Sequence, residues 1–275
     1  MAELKPYRGG YYLWNYLPSR AAAIIFLILF LIATAAVAWR MYKTRTWYCS
    51  VFVAGGMFEV IGYAGRANAY DKTDQLMPFV IQNSFILLAP VLFAASIYMV
   101  LRRVIMQVHG EAHSIIPVKW LTKIFVLGDL FSFMVQGGAA GLMATGDKAE
   151  LGQNIIIGGL FIQIFIFGVF MVTTVIFQMR MRKAPTPETE DPNFSWEASI
   201  YMLHSVSVLI MVRSTFRVIE FIMGHDGYLL QNEWPLYVFD AVLMFTVMVI
   251  FYVRYPAPGQ LRGWKDGIIP LQSRG

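Results

Sequence analysis

Seven stretches of the chain run for about 17–25 residues with scarcely a break in apolar character, the length that carries an α-helix across a bilayer. They fall at Ala21–Ala38, Tyr48–Gly65, Pro78–Leu101, Trp120–Met143, Ile155–Met179, Ile200–Met223 and Leu236–Tyr252. Such runs are too long for strands and lack the two-residue alternation of an outer-membrane barrel. The pattern predicts an all-α integral membrane bundle of seven transmembrane helices over residues 1–255 and a flexible cytosolic tail over 256–275. Trp47, Tyr48, Trp120, Trp196, Trp234 and Tyr252 stand at or near the ends, where interfacial aromatics belong.

Composition sharpens this picture. Hydrophobic residues make up 57% of the chain and charged ones 14%, about half the charged share of a soluble domain. The net charge of +5 lies in the connections rather than on a basic face, so it speaks for orientation and against nucleic acid. The amino terminus and the even loops hold six basic residues, Lys5, Arg8, Arg20, Arg66, Lys72 and Lys148, against thirteen in the odd loops and tail. Positive-inside bias predicts the amino terminus outside and the carboxyl terminus in the cytosol. The sequon Asn193-Phe194-Ser195 then faces the cytosol and stays unmodified. A single cysteine, Cys49, excludes an intrachain disulfide; a buried thiol is expected rather than a lipid anchor.

Ionisable residues inside the apolar runs are the candidate chemistry, because a charge at membrane depth persists only beside a partner or a wet cavity. Arg213, Arg217 and Glu220 follow i, i+4, i+7 and share a helical face. At about 1.5 Å of rise per residue, Glu59 and Arg217 lie roughly 9 Å below the outer ends of their helices. Glu220 and Asp240 are shallower, while Asp129 and Arg213 come out near the midplane. Two layers are therefore expected: Glu59, Arg217, Glu220 and Asp240 in the outer half, and Asp129 with Arg213 at the centre. Four acids facing two guanidiniums leave an acidic excess that protons or a cationic amphiphile would meet. An internal ion-pair network that only fixes helix register is the alternative.

Phe58-Glu59-Val60-Ile61-Gly62-Tyr63 and Phe216-Arg217-Val218-Ile219-Glu220-Phe221 suggest a 3+1+3 parallel repeat that would let Glu59 and Arg217 pair. Gln82, Asn83, Gln136 and Gln163 are amides within the spans that either join helices or, for Gln82 and Gln163, touch substrate. Gly137, Gly138 and Gly141 with Ala139 and Ala140, and Gly158, Gly159 and Gly168, offer smooth faces for close helix approach. Pro90 should kink the third helix and free a carbonyl. His109-Gly110-Glu111-Ala112-His113 resembles half a metal site that His204 would have to complete, but a solvated loop is expected. No nucleophile elbow, phosphate loop or cysteine pair is present, so neither enzymatic activity nor a cofactor is expected.

Several stretches in order are similar to the fungal RTA-type family of lipid-translocating exporters. They are Ile81-Gln82-Asn83 through Leu88-Ala89-Pro90 to Ala94-Ala95-Ser96-Ile97-Tyr98, His109-Gly110-Glu111-Ala112-His113-Ser114, Leu127-Gly128-Asp129, Gly152-Gln153-Asn154 through Gly158-Gly159 to Gln163, and Phe216-Arg217-Val218-Ile219-Glu220 through Gly227-Tyr228. The resemblance covers roughly residues 10–255. It implies a seven-span fungal membrane protein tied to the movement or sensing of amphipathic amines, such as sphingoid long-chain bases, and to resistance against toxic amphiphiles. It supplies no mechanism, so the proposed substrate-contacting residues rest on depth alone. Translocation of amphipathic lipids is the leading expectation, and a receptor-like sensor of lipid asymmetry and stress is the alternative. The plasma membrane is the expected location, ahead of the vacuolar or endoplasmic reticulum membrane.

Overall fold

The computed structural model describes residues 14, 16, 18–70, 73, 75–144, 149–187, 196–224 and 227–256. The tail over 257–275, the sequon, and Lys5, Arg8, Lys72 and Lys148 lie outside them, as does the packing around Ala140 and Gly141. Among the described residues the chain is helical with no strand. The long helices are α1 (Arg20–Thr44), α2 (Ser50–Ala69, entered through a 3-10 turn at Trp47–Cys49), α3 (Leu76–Gln107), α4 (Val118–Ala144), α5 (Ala149–Lys183) and α6 (Trp196–Met223). A single turn, α7 (Tyr228–Gln231), precedes the last long helix, α8, over Trp234–Val253.

Each apolar stretch is thus a helix. Among the described residues, five segments are long and apolar enough to cross a membrane by length and composition: Arg20–Thr44, Trp47–Ala69, Leu76–Gln107, Glu150–Lys183 and Trp234–Val253. The most polar of the long helices is α6, which carries Glu197, His204, Arg213, Arg217 and Glu220. Ser19 caps α1, its Oγ accepting the Ala22 N–H at 3.4 Å. Arg45 ends that helix in the left-handed region at φ 53°, turning its N–H back onto the last carbonyls.

Helices adjacent in sequence pack against one another, and α8 returns between α1 and α6 to close the bundle. The third helix also meets α6 across it. Of the most apolar stretch of α3, 67% is buried, against 22% for α1 and 28% for α5, so α3 is the central post and the other two are peripheral. Ile25 and Ile32 of α1, Phe131 and Met134 of α4, and Phe165 and Val172 of α5 are exposed. Apolar surface on this scale is what a bilayer solvates. Trp47, Trp120, Trp234 and Tyr252 are exposed as interfacial aromatics should be, whereas Trp196 is buried.

Close approach of α2 to α3 depends on glycines that the sequence pattern did not single out. A Cβ on Gly55 would stand 2.8 Å from the Phe93 ring, and one on Gly62 would stand 2.5 Å from Ile86 Cγ1. On α4 and α5 the expected smooth faces are met only in part. Among the described residues, Gly137, Gly138 and Gly158 have nothing within 4 Å of an added Cβ, while Gly128 meets Ile166 and Gly159 meets Gln136. Of the densest small-residue run, Ala139 is buried in a cluster with Ile156 and Leu160 of α5. At the end holding the carboxyl terminus of α8, Arg40 lies 5.2 Å from both the Tyr252 and Tyr255 rings, and Arg103 lies 3.8 Å from Tyr48. Burial pushes the Tyr255 phenol up, so it stays protonated beside Thr46, with which it shares a hydrogen bond. Cys49 is buried nearby.

Gly62→Val should overpack the α2–α3 seam and cost about 1–3 kcal/mol, lowering the thermal midpoint of the purified protein by several degrees. Gly137→Ala should leave that midpoint unchanged, and an equal loss from both would refute the seam.

Candidate functional site

Charge gathers where α2, α6 and α8 face one another beside α3. Arg213 Nε donates to Asp240 Oδ1 at 2.6 Å, and its Nη2 donates to the Ile86 carbonyl at 3.0 Å. That carbonyl is available for a covalent reason. Its usual helical partner would be the N–H four residues on, at Pro90, and proline has none. The proline therefore supplies a main-chain acceptor inside the bundle.

Arg217, one turn along α6, donates through Nη1 to Glu220 Oε2 at 2.7 Å and reaches Asp240 Oδ2 at 3.4 Å. Asp240 thus bridges two guanidiniums, one per oxygen. It sits in a π-helical segment, Tyr237–Val242, within α8. The wider i→i+5 turn inserts a residue into the α-helical count and often marks a functional position. Arg213, Arg217, Glu220 and Asp240 are each at most 8% exposed.

Glu59 of α2 belongs to the same group and is 1% exposed. It interacts electrostatically with Asp240, Arg213 and Arg217. Among the described residues it forms no ion pair, and its Oε1 is buried with no hydrogen-bond partner. The expected pairing of Glu59 with Arg217 is therefore corrected: Glu220 and Asp240 have taken that guanidinium. Arg217 Nε is likewise buried and unpartnered. The cluster holds three carboxyl groups and two guanidiniums, with the free acid on α2.

The expected central pair of Asp129 and Arg213 is also corrected. Asp129 accepts from the Tyr98 hydroxyl at 2.7 Å, and Arg213 is committed to Asp240 and Ile86. Helical depth alone placed the two residues at one level; which neighbour each faces depends on rotation about the helix axis. Gln136 Nε2 donates to Gln163 Oε1 at 3.1 Å and so joins α4 to α5. Gln82 is buried with its Oε1 unpartnered. His204 contacts Gln178 at 2.9 Å, and among the described residues no group of three or more His, Cys, Asp or Glu could hold a metal.

A second ionic knot, absent from the sequence expectation, closes the end of the bundle at the start of α1. Arg66 was expected as a loop charge, yet it is fully buried. It donates to Glu233 at 2.6 Å, to the Tyr237 hydroxyl at 3.0 Å and to the Tyr16 hydroxyl at 3.1 Å. Glu233 also accepts the Ser19 backbone N–H at 2.7 Å. One carboxylate so ties the amino end of α1, the carboxyl end of α2 and the start of α8. Glu233, Tyr237 and Asp240 recur at i, i+4 and i+7, a spacing that could have pointed to Glu233 from sequence. Between knot and cluster lie stacked rings: Phe30 on Tyr63 at 5.3 Å and Phe26 on Tyr237 at 5.3 Å.

Comparison with known proteins places these elements in a family. Residues 52–261 match the family model described as RTA1 like protein. Protein RTA1 of Saccharomyces cerevisiae is 33% identical over 97% of this chain and 92% of its own length. Protoporphyrin uptake protein 1 of the same yeast is 32% identical over 89% of this chain and 92% of its own length. The sphingoid long-chain base transporter RSB1 of Saccharomyces cerevisiae is 25% identical over 85% of this chain and 69% of its own length. No solved structure matches.

Arg213→Met leaves one oxygen of the buried Asp240 carboxylate without its guanidinium and should cost about 3–5 kcal/mol in thermal or denaturant unfolding. Removing both charges in Arg213→Met/Asp240→Leu should recover part of that loss. A double variant no better than the sum of its single changes would show that the two groups do not depend on each other.

Proposed function

The chain belongs to the RTA1-like family, and from that premise we propose that it translocates amphipathic lipids, sphingoid long-chain bases among them, and so contributes to resistance against toxic amphiphiles. The observation that carries this is Glu59, a buried acid with an unpartnered oxygen beside a carboxylate that two arginines hold. A sphingoid base has a cationic amine on a long apolar chain. Its amine meets Glu59, and its chain stays in the lipid between helices. The 3.4 Å contact between Arg217 and Asp240 is the longest ion contact of the cluster and the first to give way. Arg217 remains held by Glu220 when it does, and returns to Asp240 once the amine departs. Glu220 and Asp240 thus shape the site through their arginines, while Glu59 makes the direct contact.

All seven long helices cross the membrane in this reading, with the amino terminus outside. The ends of α1, α3 and α5 that carry Arg40, Lys43, Arg102, Arg103, Arg180, Arg182 and Lys183 lie in the cytosol. At the opposite end Arg66 is neutralised by Glu233, which supports this polarity. The plasma membrane is the proposed location. The Arg66–Glu233 knot then forms the exoplasmic seal of the pathway.

Reconstituted in liposomes, the protein should speed transbilayer movement of a labelled sphingoid base. Glu59→Gln should slow it at least tenfold without shifting the thermal midpoint. Folded wild-type protein that moves no lipid would discard translocation and favour a receptor-like sensor. An epitope at the amino terminus should be reached by antibody on intact cells, and one at the carboxyl terminus only after permeabilisation.

A further inference from the structure

Asp129 stands in the half of the bundle formed by α3, α4 and α5, away from the arginine cluster, and the translocation step makes no use of it. It is 2% exposed. The Tyr98 hydroxyl donates to its Oδ2 at 2.7 Å, while Oδ1 is buried with no hydrogen-bond partner. The tyrosine that holds it sits among aromatics: the Tyr98 ring lies 5.3 Å from Phe125, 6.2 Å from Phe167 and 4.5 Å from Phe170. Thr122 and Ser132 of the same helix turn their hydroxyls to the Tyr98 and Gly128 carbonyls instead.

Among the described residues, Tyr98 of α3 is the one titratable group in contact with this carboxyl. Around the ring of that tyrosine, α5 supplies Phe167 and Phe170 and α4 supplies Phe125, none of them charged. The contrast with Asp240 is direct, since there each oxygen meets a guanidinium. An ionised Asp129 would keep a full charge in an apolar interior with one hydrogen bond and no counter-ion, at a cost of several kcal/mol. A proton on Oδ1 removes that charge and leaves the Tyr98 hydrogen bond in place.

We propose that Asp129, held by Tyr98, is a proton-binding site of this protein, separate from the cluster around Asp240. The proton adds to Oδ1 from solvent and leaves by the reverse step, with no bond to a heavy atom made or broken. Deprotonation places an uncompensated charge between α3, α4 and α5, which favours any arrangement that admits water there. The site therefore couples proton occupancy to the packing of this half of the bundle.

Infrared spectroscopy of the purified full-length protein in lipid, without added amphiphile, tests this. The carboxylic-acid carbonyl region should lose one band in Asp129→Asn, a near-isosteric change that still accepts from Tyr98. That band should fade reversibly as pH rises in the wild type. Tyr98→Phe should move it to higher wavenumber by removing the hydrogen bond to the carboxyl. An Asp129→Asn spectrum identical to wild type in this region would show the carboxyl ionised throughout and overturn the proposal. Should that variant fail to fold, the Tyr98→Phe spectrum decides by the same criterion: a moved band supports the site and an unmoved spectrum overturns it.

Discussion

The Arg213 guanidinium joins three helices in a single planar group. It meets a carboxylate from a π-helical turn of α8 and a main-chain carbonyl of α3 while standing on α6 itself. Two backbone irregularities serve this contact: the missing N–H at Pro90 and the wide turn around Asp240. Each is costly in isolation, and each leaves polar groups that a regular helix would have satisfied internally. In a low-dielectric interior the charge and the freed carbonyl have few other partners, so helix register and site geometry are set together.

From this contact outward the polar groups form a column. Asp240 passes the link to Arg217 and Glu220, the Phe26, Phe30, Tyr63 and Tyr237 rings stack beyond it, and Arg66 with Glu233 ends it. Tyr237 belongs to both parts, stacking on Phe26 while its hydroxyl bonds to Arg66 and Glu233. Any movement that opens one end of the column must disturb the packing of α1, α2 and α8 together. Such coupling fits the proposed handling of an amphiphile, because a polar head needs counter-charges and an apolar chain needs the lipid beside them.

The two halves of the bundle treat their acids differently. Around α8, three carboxyl groups share two guanidiniums, and Glu59 is the member left over. Among the described residues, Asp129 of α4 meets one phenol and no cation. Charged groups that only locked register would be expected to end fully paired, and neither acid does.

Length and apolar periodicity were enough to place the seven helices, and helical spacing put Arg213, Arg217 and Glu220 on one face. Those are local properties, set by the 3.6-residue repeat and the rise per residue. The freed carbonyl at Pro90 was legible for the same reason, since a missing N–H is covalent chemistry. Partner identity was not. Depth put Asp129 level with Arg213, but rotation of α4 against its neighbours turned it to Tyr98. Arg66 read as a loop charge because the segment before α1, the start of α8 and its own helix converge only in space. The glycines of α2 became the close seam because Ile86 and Phe93 of α3 stand opposite them. A sequence carries each helix's own pattern; azimuth and neighbour arise from packing all the helices at once.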